Sequence, residues 1–387
     1  MTLFLIFFFT TYGVVNLYIL RRLIQSLEAA PKWFKLLMIF LHILVILSYF
    51  IAKGLLNNTY SISYDIFLYI GSFGFAAFVY ALQILLLMDL GRFIFRKTKY
   101  AGFLKNNYPK KKFIAFGVVI GLLTMIITLG EMNANDIIVK DVHIEIPTKN
   151  APYPEFKVMF FSDLHLSPLN DERQLRYLIR LNKKIIPDMI LMGGDIVDDV
   201  ERNLYRNNVG LLMKKLFAPK GVYTVMGNHE YIVGIEKSVN FLRGSGIQVL
   251  RDTVLVIDDF LQFMGRDDFT SHRSAGNKRK ELSELIKKTT PSKPVILIDH
   301  QPYNLNDVTR YKVDLQLSGH THNGQMFPGN LITELIYEVS YGLKKIGNTR
   351  FYVSSGVGTW GPPVRIGSRS EVVLVNLKFV SNINSLN

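Results

Sequence analysis

Apolar positions divide this chain of 387 residues into two parts with different periodicity. Up to residue 131 they come in long, nearly unbroken runs. Thr2–Leu20 and Phe113–Gly130 hold no charge, Phe34–Leu56 is charged only at Lys35 and Lys53, and Ile62–Leu90 only at Asp65 and Asp89. A helix needs about 20 mostly apolar residues to cross the hydrocarbon layer, where no water is present to satisfy the backbone. The runs therefore predict four transmembrane helices, over about residues 2–20, 34–56, 62–90 and 113–130. Any one of them could be a buried core helix, but four separated by short basic loops argue for the membrane.

Beyond about Ile137, short β-rich runs alternate with polar stretches of helical period. Strands are expected at Phe156–Phe161, Met189–Met192, Val222–Met226, Pro294–Ile298 and Val313–Leu317. More β structure is expected near Val256–Phe260, Phe351–Ser354 and Glu371–Phe379, and helices over Arg173–Ile186 and Asn203–Leu216. This alternation predicts an α/β layered domain. The expected organisation is a transmembrane region at 1–131, a linker at 132–150 and a second domain at 151–387.

Charge adds orientation. The formal net charge is +14, yet residues 1–131 hold 13 Lys/Arg against 4 Asp/Glu, and the remainder 32 against 27. Most of the basic excess thus flanks the apolar runs, which argues against nucleic acid as a partner. Arg21, Arg22, Lys32 and Lys35 mark the first loop; Arg92, Arg96, Lys97, Lys99, Lys105 and Lys110–Lys112 mark the third. The second is nearly free of basic residues. Short Lys/Arg-rich loops stay in the cytoplasm. Four spans then place both termini, and the second domain, outside a bacterial cell membrane. Met1–Leu3 carries no positive charge and no A-x-A site follows the first run, so that run is expected to be retained rather than cleaved. The absence of cysteine excludes disulfides, thiolate metal sites and cysteine nucleophiles.

The chemistry lies where apolar strands end. Five times an apolar strand gives way within a few residues to Asp, Asn or His: Asp163 and His165, Asp195, Asn228 and His229, His300, then His320 and His322. Loops at the carboxyl ends of strands in α/β sheets converge on one crevice. Imidazole mixed with carboxylate suits zinc, iron, manganese or cobalt rather than magnesium or calcium. A carboxylate can bridge two cations, and such a pair polarises a phosphoryl group and lowers the pKa of a shared water to about 7.

The clusters D-L-H, G-D-I-V-D, G-N-H-E, D-H and G-H-T-H, in this order, resemble the calcineurin-like metallophosphoesterase superfamily over about residues 150–378. The resemblance implies a four-layer α-β-β-α sandwich behind the transmembrane helices. It also implies two divalent transition-metal ions (Mn, Zn or Fe). Asp163, His165 and His322 would hold one ion, Asn228, His300 and His320 the other, and Asp195 would bridge them. His229 matches the residue that protonates the leaving-group oxygen or stabilises the phosphoryl oxygens. Ser354–Glu371 and Gly265–Asp268 are similar to a bacterial membrane-associated branch. That branch includes enzymes assigned to lipid or nucleotide-sugar-lipid phosphoesters, so the resemblance implies membrane lipids and a lipid-linked phosphoester as partners. Asn323 stands where the family commonly has Gly. A receptor or scaffold binding an anionic headgroup without turnover, and a nuclease or phosphodiesterase acting on soluble substrates, are the alternatives.

Outside this set the readings stay open. Asp198, Asp199, Asp267 and Asp268 read first as loop or cap residues. Asp299 could brace His300, and Arg365 and Arg369 could grip an anion or form a solvated loop. Leu331–Ile346 reads as one amphipathic helix, packed on the domain or docked on the bilayer, and Trp360 as a lipid-facing or loop-locking side chain. His143 and His272 are expected at the surface.

Overall fold

The computed structural model describes residues 2–56, 61–98, 108–149, 151–170, 172–198, 208–274 and 278–381. The chain divides into two compact units, Met1–Glu131 and Met132–Asn387. Asp199, the start of the helix expected over 203–216, and Lys99 and Lys105 lie outside the described residues.

The first unit is helical: α1 (Thr2–Ser26), α2 (Lys32–Leu55), α3 (Ile62–Phe95) and most of α4 (Pro109–Asn135). Among the described residues, three helices are long and apolar enough to cross a membrane, α2, α3 and α4, rather than the four expected. The first run is helical, as α1, but is not one of those three. Asp89, near the end of α3, accepts a hydrogen bond from the Tyr18 hydroxyl at 2.7 Å and pairs with Arg22 at 2.9 Å and Arg92 at 2.8 Å. An ionised group at a span end is tolerated when paired in this way.

The second unit is built on two six-stranded sheets. The first runs in the order β1 (Ile138–Pro147), β12 (Glu371–Val380), β2 (Glu155–Phe161), β3 (Met189–Met192), β4 (Val222–Thr224), β5 (Gln248–Val249). The second runs β10 (Gly342–Ile346), β11 (Thr349–Val353), β9 (Leu315–Ser318), β8 (Val295–Ile298), β7 (Leu261–Gly265), β6 (Thr253–Ile257). The stretch expected as a linker carries β1, which pairs in parallel with β12 from Ile138↔Glu371 to Pro147↔Val380.

Side-chain alternation creates the layers. On β2, Phe156, Val158 and Phe160 point between the sheets, where they meet Phe263, Ile296, Ile298 and Leu317. Met159 and Phe161 point the other way, into a core shared with helices α5 (Glu172–Ile185), α6 (Val209–Met213), α7 (Asn228–Val233) and α8 (Ile235–Gly244). The outer face of the second sheet packs Leu297, Val295 and Phe351 against α9 (Leu282–Ile286) and α10 (Leu305–Val308). The result is the four-layer α-β-β-α sandwich. Period-2 strands buried on both faces are what such stacking demands.

Candidate metal centre

Within each sheet the central strands run parallel, β2, β3 and β4 in one and β8 and β9 in the other, so their carboxyl ends share an edge. The loops leaving those ends carry all the residues singled out in the sequence. Asp163 and His165 follow β2, Asp195 follows β3, and Asn228 opens α7 after β4. His300 follows β8, and His320 and His322 follow β9. Backbone bonds lock the loops to each other: Gly319 N–H donates to the His300 carbonyl at 3.0 Å and Val357 N–H to the Ser162 carbonyl at 3.0 Å.

The side chains meet. Asp163, His165 and His322 present ligand atoms within 4.8 Å of one another, as do Asp195, His300 and His320, and as do His165, Asp195 and His229. Asp195 lies between the first two groups, with Oδ2 3.1 Å from His300 Nε2 and 3.9 Å from His165 Nε2. The His165 and His322 Nε2 atoms face each other at 3.0 Å, with Asp163 Oδ1 3.5 Å from His322 Nε2. Two imidazole nitrogens and a carboxylate oxygen aimed at one point describe a cation site. His300 Nδ1 lies 2.7 Å from the Gly193 carbonyl, which fixes the proton on Nδ1 and leaves the Nε2 lone pair free.

Two atoms test the fit to a metal directly. Asn228 Oδ1 is buried without a hydrogen-bond partner, and His300 Nε2, with the proton on Nδ1, faces the Asp195 carboxylate at 3.1 Å, an acceptor that cannot satisfy it. Buried polar atoms are ordinarily paired, and a cation would satisfy both. The backbone is also tensioned here. Asp163, His165, Asp195, His320 and His322 have φ of 55°, 48°, 52°, 71° and 50°. Left-handed non-glycine residues are rare, and strain of this kind gathers at functional sites. Asn323, with φ 46°, sits in the same region, which explains how Asn replaces the Gly common in the family: Asn tolerates it best after Gly.

The calcineurin-like phosphoesterase family profile matches residues 156–324, the span holding every one of these side chains. An uncharacterized metallophosphoesterase of Aquifex aeolicus is 38% identical over 240 residues, covering 61% of this chain and 91% of that protein. The chain belongs to the metallophosphoesterase family. Another uncharacterized metallophosphoesterase, from Campylobacter jejuni, is 30% identical and matches 97% of this chain and 99% of its own length. A Danio rerio transmembrane protein with a metallophosphoesterase domain is 29% identical across 62% of this chain and 57% of that one. The chain covers 60% of the length of its Helicobacter pylori relative. Among solved structures, a 5'-nucleotidase precursor from Thermus thermophilus superposes with a TM-score of 0.37 at 16% identity, covering 57% of this chain and 55% of that one. So distant a likeness says nothing of substrate.

The metallophosphoesterase braces its cage with residues that the sequence did not mark as functional. Asp198 Oδ1 lies 2.8 Å from Nδ1 of both His165 and His229, orienting the two rings together. Burial alone would raise the Asp198 carboxyl; the imidazoles of His165 and His229 hold it well below its ordinary value instead. Glu230, fully buried, accepts backbone N–H groups of Asp195, Ile196, Val197 and Gly227 at 2.6–3.0 Å, tying the loop after β3 to the loop after β4. The Gly at 319 is a matter of space: a Cβ there would lie 2.4 Å from Asp163 Oδ2.

Electrostatics separates the members. Burial pushes Asp163 up, and neighbouring Asp195 adds to it. Asp195 is also opposed by burial, but His300, His229 and His165 hold it well below the usual carboxylate range. Burial, reinforced by His300, takes His320 down to about 3. His229 goes the other way: Asp195 and Asp198 outweigh burial and lift it to about 9.

Several open readings resolve. Asp299 pairs with Arg266 at 3.1 Å and with Arg279, so the Gly193 carbonyl, not Asp299, braces His300. Asp268 accepts from Gln301 Nε2 at 3.0 Å, and Asp267 from the Tyr231 hydroxyl at 2.6 Å; both are loop fasteners. Arg369 pairs with Asp136. His143 and His272 are exposed. Arg365 is neither a phosphate grip nor a solvated residue, because its guanidinium is wholly buried among backbone carbonyls.

Asp198→Asn removes the charge that both rings share. Turnover of a chromogenic phosphodiester is expected to fall about 10–100-fold with folding retained. A rate within twofold of wild type (about 0.4 kcal/mol in ΔΔG‡) would make the His165–Asp198–His229 bridge irrelevant to chemistry.

Proposed function

We propose that this metallophosphoesterase hydrolyses a phosphoester or pyrophosphate bond in a membrane-resident substrate, lipid-linked or nucleotide-sugar-lipid in kind, on the extracytoplasmic face. The convergence of Asp163, His165, Asp195, His300, His320 and His322 beside the unpartnered Asn228 Oδ1 carries the hydrolytic half. In this reading Asp163, His165 and His322 hold one divalent transition-metal ion and Asn228, His300 and His320 a second, with Asp195 between; Mn, Zn or Fe fits the mixed N/O donors. Bound there, a cation pair supplies Lewis acidity and offsets the charge of the phosphoryl oxygens.

The chain's own residues do the rest. Hydrolysis joins a water oxygen to phosphorus and breaks the bond to the leaving-group oxygen, which needs a proton. His229 is placed to give it. Its Nδ1 is held by Asp198 and its side chain is 15% exposed, whereas His165 and His300 are sealed at 0%. Proton transfer from a positioned imidazole contributes about 10²–10⁴-fold.

Two features support the membrane half. Helices α2, α3 and α4 are fit to span a bilayer. Arg92, Arg96 and Lys97 at the end of α3 and Lys110–Lys112 in the first turn of α4 flank the connection before the last of them, which favours a cytoplasmic loop there and an external second unit. That side depends on the final span alone, so it is the same for three spans or four. Lipid-linked substrates lie in the layer to which such spans tether the unit.

The test is turnover by the purified full-length protein, with added manganese or zinc, of lipid phosphoesters, nucleotide-lipid diphosphates and a soluble chromogenic diester. Metal-dependent turnover favouring a lipid-linked compound is expected. Bound metal with no turnover of any of them would leave a headgroup-binding scaffold, and preference for DNA with a steep salt dependence would leave a nuclease.

A further inference from the structure

The segment after the last site histidine does not form the long helix expected. It makes a helix only over Gly329–Ile336 (α11), turns extended at Tyr337, and continues as β10. None of the residues of α11 is buried. Leu331, Ile332, Leu335 and Ile336 are all exposed, Leu335 by 87%, and Phe327 and Trp360 extend the same apolar surface. An α-helix in a water-soluble domain normally buries its apolar stripe, and a contiguous apolar patch left open marks an interaction surface.

This patch adjoins the cage at both ends. The Gln325 side chain clasps the Trp360 turn to the segment entering α11: Nε2 donates to the Trp360 and Pro362 carbonyls at 3.0 and 2.9 Å, and Trp360 N–H donates to Oε1 at 2.8 Å. The Trp360 ring then stands 6.4 Å from that of His229. At the far end the Tyr337 ring lies 6.1 Å from that of His320 and stacks on Tyr303 at 5.2 Å. Lys344 and Lys345 are exposed on β10, and Lys344 Nζ reaches the Glu338 carbonyl at 3.2 Å, just beyond the helix end.

We propose that α11 and the Trp360 turn dock on the bilayer, sinking their apolar side chains into the headgroup–acyl boundary so that the rim of the metal cage opens at headgroup level. The occupant is lipid because the same chain carries helices fit to span a membrane, which makes the bilayer the apolar phase at hand. In this pose the apolar residues lie at the level of the acyl chains, with the exposed Lys344 and Lys345 offset by the exposed Glu334 and Glu338. The proposal rests on the membrane-resident-substrate reading and extends it from proximity to a specific surface.

The chain has no cysteine, so single labels are clean. Leu335→Cys and, as control, Val256→Cys on β6, at the opposite edge of the sheet from β10, are labelled with bimane in the full chain. The labelled chains are reconstituted into phosphatidylcholine/phosphatidylglycerol vesicles. Shallow doxyl-labelled lipids are expected to quench the label at 335 and spare the label at 256. Equal quenching at both sites, no quenching at 335, or efficient 335–335 crosslinking between copies would overturn the docking surface. Independently, Ile332→Ser with Leu335→Ser is expected to keep soluble-diester turnover within about twofold while lowering turnover of a vesicle-embedded phosphoester by about 10-fold. Quenching at 335 with no lipid phosphoester turned over keeps the docking surface and discards the substrate reading, so the two fail separately.

Discussion

Asp195→Ala is expected to abolish metal-dependent phosphodiester hydrolysis, with a loss of about 10³-fold or more, while the unfolding transition persists. The reason is positional. Its carboxylate lies 3.1 Å from His300 Nε2 and 3.9 Å from His165 Nε2, and it also accepts the His229 backbone N–H at 2.8 Å. Removing it takes away the carboxylate that lies between the two ligand groups. The fall should be in kcat at saturating substrate, with bound metal reduced in parallel by elemental analysis. Near-normal turnover by a folded Asp195→Ala protein would refute the two-cation reading of the cage.

Arg365→Ala should be costly for a different reason. The guanidinium donates to the carbonyls of Ser355 and Gly358 at 2.6 Å each, and to those of His322, Gly356 and Arg369 at 3.3 Å. It also meets His322 Nδ1 at 3.3 Å and the Ser368 hydroxyl at 3.2 Å. Burial draws Arg365 down to about 10, with Asp163 and Glu371 pulling the other way, so it stays charged at neutral pH. Truncation strands several buried carbonyls, and a loss of about 3–5 kcal/mol follows, equivalent to a Tm drop of roughly 6–15 °C. Metal affinity should weaken about 10–100-fold as His322 loosens. Arg365→Lys should not rescue either property, since an ammonium offers three donors from a point and not a planar fork of five. A lysine variant matching wild type in both Tm and metal content would show that charge alone, not the fork, holds this loop.

The parts of this molecule that were legible in the sequence are those set by local pattern. An apolar strand followed within a few residues by Asp, Asn or His marks a strand's carboxyl end, and so Asp163, Asp195, Asn228, His300 and His320 could be found without coordinates. What escaped depends on partners distant in the chain. Asp198 looks like one more loop acid until two rings arrive at its Oδ1 from different loops. Glu230 was visible inside G-N-H-E, but its work on four backbone N–H groups was not. Arg365 sits among Gly, Ser and Pro and reads equally as an anion grip or a solvated residue; only the closing of residues 355–358 over it makes it the largest fully buried side chain among the described residues. The 132–150 stretch read as a linker because nothing local announces that Ile138–Pro147 has a mate at the other end of the chain. The helix expected over 331–346 holds no Gly or Pro before Gly342, yet it ends five residues earlier, where Tyr337 turns extended (φ −105°, ψ 138°).

That pairing of β1 with β12 governs the order of events at birth. β12 is not an edge but an insertion between β1 and β2, so until Val380 has been made the first sheet carries a gap one strand wide. During synthesis both flanking strands wait with open hydrogen-bonding rims, the condition that invites mispairing with other chains. Ser354–Glu371, the loop that clamps His322 through Arg365, is pulled into place by that same late strand. A chain in which β12 has not yet been made would therefore lack a settled His322.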